Sequence, residues 1–176
     1  LVDFKPTQPG IPYRLPGVSA FSWTVSVVPL GIARGALDAF IALAARKPRM
    51  GGVGQLRDGE LVQAMVGRAE TTLRSARALL VEGMTELMAA CDSGGERLVE
   101  ARLLHRIACA NAAESAARVV EMIAAPAGTA AIFETGTLER SIRDVQAAIK
   151  HVAMTSNSYA LTGRLKLGLP LGTTRF

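Results

Sequence analysis

The sequence contains few aromatic residues and few cysteines, and both shortages exclude whole classes of protein. Phe, Trp and Tyr make up 5% of the 176 residues, whereas Ala, Leu, Arg and Glu are frequent, which favours helices over sheets. Cys91 and Cys109 are the 2 cysteines, and neither belongs to a metal-ligand or Cys-x-x-Cys pattern. A disulfide framework and a structural zinc are therefore not expected. We predict two apolar thiols in a reducing compartment, the cytoplasm.

Motifs for phosphate, dinucleotide and nucleic-acid binding are also lacking. The formal net charge is +5, but Arg and Lys alternate with Glu and Asp, so no basic stripe forms. Without such a stripe or stacking aromatics, we expect no nucleic-acid partner. There is no GxGxxG after a strand, no GxxxxGK[ST], no GxSxG and no HExxH. The sequence accordingly predicts no metal site.

One uncharged run, residues 18–33, has the composition of a membrane or signal segment. It is shorter than the roughly 20 residues that a bilayer span requires, Pro29 interrupts it, and polar side chains are spread along it. We therefore predict no membrane span and interpret the run as a helix buried on nearly every side. Such a helix needs a central position in the fold or a second subunit against it.

Helical periodicity predicts an all-α fold, an antiparallel four-helix bundle over residues 18–176. A Pro-rich linker, residues 1–17, precedes the bundle, and with a start other than Met it indicates a missing upstream part. Ser19 is expected to cap the first helix, Pro29 to kink it, and Thr137 to cap the last long helix. The predicted helical segments are 19–46, 58–91, 96–125, 130–133, 138–155 and 158–167.

The 138–155 helix carries the candidate site. Its predicted core face consists of Leu138, Ile142, Val145, Ile149 and Val152. A separate stripe consists of Arg140, Asp144, Ala147, His151 and Thr155, and its imidazole suits proton handling near neutrality. Spacing leaves two alternatives open: a solvated face with a surface ion pair between the Arg and the Asp, or a face turned toward a ligand or another domain. His105 is interpreted as a partly exposed helix residue.

Several segments resemble the C-terminal domain of acyl-CoA dehydrogenase-like flavoenzymes. Residues 28–40 (VPLGIARGALDAF) resemble its opening helix, and residues 12–16 (PYRLP) resemble the lead-in. Residues 127–133 (AGTAAIF), 138–140 (LER) and 142–145 (IRDV), with His151, resemble its closing motifs. The resemblance extends from about residue 12 to residue 168.

The sequence is most similar to the second type of this domain, found in two-component flavin-dependent monooxygenases such as hydroxyphenylacetate and secosteroid hydroxylases. Acyl-CoA dehydrogenases proper carry a Glu-Gly-Thr motif after the Arg-Asp pair, whereas this chain has His151 followed by Val152 and Ala153. The resemblance implies a reduced flavin, FAD or FMN, as cofactor. It also implies that His151 is catalytic, either stabilising a flavin hydroperoxide or helping to deprotonate a phenolic substrate.

The resemblance further implies cofactor contacts and partners. Gly128 and Thr129 correspond to a turn that approaches the flavin of a neighbouring subunit, and Arg140 and Asp144 are additional candidate contacts. The expected partners are copies of the same chain in a homotetramer, N-terminal and middle domains that this chain lacks, and a flavin reductase. This chain alone is then expected to be inactive. The alternatives are a dehydrogenase domain acting on an acyl thioester and a non-catalytic helical oligomerisation module.

Overall fold

Helices dominate the computed structural model, which describes residues 7–49, 51–132 and 136–173. The α-helices of these residues are α1 (Ile11–Arg14), α2 (Gly17–Ala44), α3 (Glu60–Ala90), α4 (Gly95–Ala127), α5 (Thr137–Ala148) and α6 (Asn157–Lys166). Three short 3-10 segments are Leu56–Asp58, Gly128–Ala131 and Val152–Met154. The β-type pairing described is one antiparallel bridge between Pro48 and Gln55. The all-α class is therefore confirmed.

Some predicted features lie outside the described residues. These are positions 1–6 of the predicted linker, Phe133 at the end of the predicted 130–133 segment, and positions 174–176 of the bundle domain. Within the described part of the linker, residues 11–14 form the short helix α1.

The central helix is α4, which packs against α2, α3, α5 and α6. Its alanines allow close approach, and Ala108, Ala112 and Ala116 are fully buried. A Cβ on Gly83 of α3 would lie 3.1 Å from the backbone of His105, so α3 and α4 meet almost backbone to backbone. Because α4 is apolar on several sides, it can contact four helices at once. The antiparallel four-helix arrangement itself stays a prediction.

Two predicted helix caps are wrong. α2 begins at Gly17 with Pro16 in the N-cap position, and the Ser19 backbone N–H donates to the Pro16 carbonyl oxygen at 2.8 Å. The helix starts before Ser19 because Pro16 has a backbone conformation (φ −53°) that lets its carbonyl accept this first bond. Thr137 is the first residue of α5, and Gly136 holds the cap position instead.

α2 keeps much of its apolar surface uncovered within the chain. By length and composition alone it would be able to cross a membrane, and 33% of its most apolar window is buried. Phe21 is 53% exposed and Val28 is 50% exposed. The opposite side of α2 holds the core residues Leu37 and Phe40, which are fully buried. This helix therefore has a second apolar side that the described residues do not cover.

A charged network joins α2 to α3. Each helix contributes an ion pair between residues four apart: Arg34 lies 3.5 Å from Asp38, and Glu70 lies 2.6 Å from Arg74. Arg34 also contacts Glu70 at 2.7 Å, so the two pairs form one cluster across the helices. Hydrogen bonds from Arg74 and Arg34 lower the pKa of Glu70. Asp38 and Arg74 are exposed and Arg34 and Glu70 are half-buried, so the cluster is expected to add little to stability.

Candidate functional site

His151 lies in a turn just after α5, and this corrects the prediction of a helix through residue 155. α5 ends at Ala148, and His151 precedes the 3-10 segment Val152–Met154. Its half-buried ring accepts a hydrogen bond at Nδ1 from the Ala153 backbone N–H, at 3.1 Å. Because Nδ1 accepts, the neutral ring carries its proton on Nε2. Among the described residues Nε2 has no hydrogen-bond partner, so it is the nitrogen free to meet a ligand.

Two contacts hold the His151 turn against the rest of the chain. The ring of Phe21 on α2 packs on the imidazole, with ring centroids 5.3 Å apart and planes inclined by 58°. Arg106 on α4 donates from Nη1 to Ser22 Oγ at 2.8 Å and from Nη2 to the Val152 carbonyl oxygen at 3.4 Å. α2, α4 and the turn therefore meet at His151.

The predicted stripe of Arg140, Asp144 and His151 does not form, because α5 ends before His151. Arg140 and Asp144 are both exposed on α5. Among the described residues they form no ion pair with each other, so the surface pair of the first alternative is absent. The i,i+4 pair on this helix joins Arg143 to Glu139 at 2.6 Å.

The predicted core face of α5 is correct only as far as the helix extends. Leu138 and Val145 are buried, and Ile142 and Ile149 are half-buried. Val152 is 72% exposed because it follows the break in the helix.

Gly128 and Thr129 form an exposed turn at the end of α4. Gly128 has a φ of +59°, a conformation that L side chains rarely adopt. Lys47 Nζ donates to the Ala127 carbonyl oxygen at 2.6 Å and would stand 3.3 Å from a Cβ on Gly128. A lysine ammonium beside an exposed turn suits an anionic group such as a phosphate. Sequence reasoning missed Lys47, which occurs in a loop segment without a recognisable motif.

A buried polar cluster between α2 and α4 was also missed. Ser19, Ser22 and Ser26 follow helical spacing on the buried side of α2, and this spacing was the available signal. Opposite them, His105 Nε2 donates to the Ser19 carbonyl oxygen at 3.0 Å. His105 is fully buried, so its prediction as a partly exposed residue is wrong. Burial lowers its pKa, which keeps the ring neutral.

Cys109 lies one helical turn from His105, with Sγ 3.5 Å from Nε2. Burial raises the pKa of this thiol, so it is a poor nucleophile. Both cysteines are free thiols, Cys109 buried and Cys91 half-buried, as predicted. Within the described ranges, no three His, Cys, Asp or Glu side chains are placed to hold a metal ion. This cluster therefore has a structural character, and His151 is the accessible titratable ring.

Comparison with known proteins gives matches over most of the chain. A family model described as "Acyl-CoA dehydrogenase, C-terminal domain" matches residues 23–156. An indole-3-acetate monooxygenase from Pseudomonas putida is 32% identical over 156 residues, which cover 89% of this chain and 40% of that protein. The chain therefore spans 40% of the length of the curated relatives that it matches.

Solved structures share the fold. The 3-HSA hydroxylase from Rhodococcus sp. RHA1 is 23% identical with a TM-score of 0.84, covering 96% of this chain and 44% of that chain. XiaF from Streptomyces sp., solved in complex with FADH2 and glycerol, is 18% identical with a TM-score of 0.85, covering 93% and 42% respectively. At these identities the likeness concerns the fold.

Proposed function

Because the chain belongs to the family of acyl-CoA dehydrogenase C-terminal domains, we propose that it forms this domain in the oxygenase component of a two-component flavin-dependent monooxygenase. The proposed reaction is hydroxylation of an aromatic or similar substrate. One observation carries the proposal: His151 presents a fixed imidazole with Nε2 free, in the place where dehydrogenases of the family have their Glu-Gly-Thr motif. The name of the relative from Pseudomonas putida, an indole-3-acetate monooxygenase, supports an aromatic substrate.

The cofactor we propose is a reduced flavin, FAD or FMN, and the residues present fit it. When bound, it supplies the activation of oxygen. The Nε2–H group of His151 would be available to donate a hydrogen bond to the cofactor or substrate and to hold a proton there. Gly128 and Thr129 form an exposed turn beside the half-buried cation of Lys47, which suits a flavin phosphate. Arg140 and Asp144 remain candidate cofactor contacts, since both are exposed on α5.

The partners we propose are further copies of the chain and further domains of the same protein. The apolar side of α2 that stays exposed within one chain supports a tetramer contact, since surfaces of this kind mark interaction sites. N-terminal and middle domains would complete the walls of the flavin site, and a flavin reductase would supply the reduced cofactor. Two free thiols suit a reducing cytoplasm.

Substitution of His151 in the full-length protein tests the catalytic assignment. Supplied with a flavin reductase and oxygen, the His151→Ala variant should hydroxylate about 10²- to 10⁴-fold more slowly, the usual contribution of a positioned acid or base. Lys150→Ala is the matched control, because Lys150 is exposed and adjacent in sequence. An unchanged rate of hydroxylation in His151→Ala would show that His151 is not a catalytic residue.

Electron flow separates the proposed reaction from its dehydrogenase alternative. A monooxygenase consumes oxygen and forms a hydroxylated product when a reductase supplies reduced flavin. An acyl-CoA dehydrogenase instead passes electrons from a thioester substrate to an acceptor flavoprotein.

For the chain of residues 1–176 alone we expect no turnover and no stoichiometric flavin in its absorbance spectrum, because an open cofactor surface does not exclude water.

A further inference from the structure

Arg106 is a half-buried cation that no described carboxylate neutralises. Among the described residues it donates to a hydroxyl and to a carbonyl oxygen, Ser22 Oγ at 2.8 Å and the Val152 carbonyl at 3.4 Å. Its Nε is buried and has no hydrogen-bond partner in the described chain. Partly burying a guanidinium costs free energy that two neutral acceptors offset only in part. A purely stabilising role therefore explains this residue poorly.

The two acceptors of Arg106 flank the contact that orients His151. Ser22 follows Phe21 in α2, and Val152 follows His151 in the turn. Phe21 and His151 are themselves in ring contact at 5.3 Å. The guanidinium therefore bridges Ser22 and Val152, the residues that follow the two contacting rings. In this way it links α2 to the turn beside the ring contact. The planar guanidinium of Arg106 has donors in fixed directions, so it can hold the two acceptors, and the segments that carry them, at a set distance.

We propose that Arg106 is a positioning residue for His151. It keeps the 151–154 turn against α2, so that the Ala153 N–H remains on Nδ1 and Nε2 keeps its direction and its proton. Arg106 touches neither substrate nor cofactor in this account and acts only through the imidazole. The inference rests on the proposed function for the part His151 plays, whereas the geometry of the turn is independent of it.

Nitrogen NMR of the full-length protein, labelled with ¹⁵N-histidine, tests the positioning without any activity. The ring is identified as the signal that His151→Asn removes, and spectra are recorded at an alkaline pH where histidines are ordinarily neutral. We expect one tautomer in the unsubstituted protein, protonated at Nε2, and a mixture of tautomers in Arg106→Met. Arg97→Met, an exposed arginine on the same helix, should leave the spectrum unchanged. An unaltered His151 signal in Arg106→Met would overturn the proposal.

If Arg106→Met does not fold, Ser22→Ala and Arg106→Lys take its place. Ser22→Ala removes one of the two acceptors, and a lysine replaces the planar fork with a single nitrogen that does not fix two acceptors at a set distance. Each should give a smaller change of the same kind in the His151 signal. No change in either variant would also overturn the proposal.

A double-mutant cycle on hydroxylation gives the second readout. Arg106→Met should lower kcat roughly 10- to 100-fold, the effect of displacing a catalytic group by about 1 Å, with a smaller effect on KM. In a His151→Ala background the same substitution should cost nothing further, because the group through which it acts is gone. An equal loss in both backgrounds would contradict the proposal. If His151→Ala alone has no effect, the catalytic assignment of His151 fails, and the NMR comparison still decides the role of Arg106.

Discussion

Acidification should destabilise the chain through His105, whose ring is fully buried between α2 and α4. Nε2 donates to the Ser19 carbonyl oxygen at 3.0 Å, so the second proton would have to go on Nδ1. Nδ1 is buried and has no hydrogen-bond partner among the described residues. Burial therefore lowers the pKa of His105 below its usual value.

The lowered pKa of His105 determines the sign and the size of the change in stability with pH. Because the folded pKa lies below the unfolded value of about 6.5, the unfolded chain binds more protons in the interval between the two. The contribution of His105 to stability is complete above about pH 6.5 and is lost as the pH falls from there toward the folded pKa. At most about 1.4 kcal/mol is lost by pH 5.5, since each pH unit costs up to that amount.

Urea unfolding of the full-length protein at several pH values measures this loss. His105→Gln keeps an N–H donor at this position but does not titrate. Between pH 7.5 and 5.5 its free energy of unfolding should therefore fall by less than that of the unsubstituted protein, and the difference should be about 1.4 kcal/mol at most. His151→Gln is the matched control, because the chain has 2 histidines and His151 lies outside the buried cluster. Identical pH dependence in His105→Gln and the unsubstituted protein would refute the reasoning.

Two further predictions concern the packing around α4. Gly83→Ala should destabilise the protein by about 1–3 kcal/mol in chemical denaturation, despite the better helix propensity of Ala, because the new Cβ would overlap the α4 backbone 3.1 Å away. Gly67→Ala, in the same helix with nothing within 4 Å, should instead stabilise by about 0.5–1 kcal/mol, and loss of stability there would contradict the explanation. Lys47→Met should cost about 1.5 kcal/mol, since it removes the charged donor from the Ala127 carbonyl oxygen. Arg46→Met, an exposed neighbour, should leave the unfolding midpoint unchanged, and an equal shift in both variants would exclude the hydrogen bond as the cause.

Long helices with marked ends were predictable, whereas a helix that ends through tertiary contacts was not. The predicted 58–91 helix is observed as Glu60–Ala90, and the predicted 96–125 helix as Gly95–Ala127, because glycines mark these boundaries. The 147–155 segment contains neither Gly nor Pro, so periodicity extended the helix through it. The contact of Arg106 with the Val152 carbonyl is one interaction that holds this segment in a turn, and it joins residues 46 apart in sequence.

The buried side of α4 was not predictable for a different reason. Alanine occurs all around this helix, so hydrophobic periodicity has little contrast between one face and another. Leu104 and Arg106 on either side of His105 are half-buried, while His105 itself is fully buried. The serines of α2 are the better indicator, since three hydroxyls at helical spacing in an apolar helix suggest a polar partner opposite them.

The stacking of Trp23 on His105 gives the chain a built-in optical probe. The rings are 6.5 Å apart between centroids and inclined by 27°, and Trp23 is the 1 tryptophan of the sequence. Indole emission is quenched by a protonated imidazole at close range and shifts in wavelength when the indole meets water. Fluorescence of this chain therefore reports on the contact between α2 and α4, and separation of those two helices would be visible without any added label.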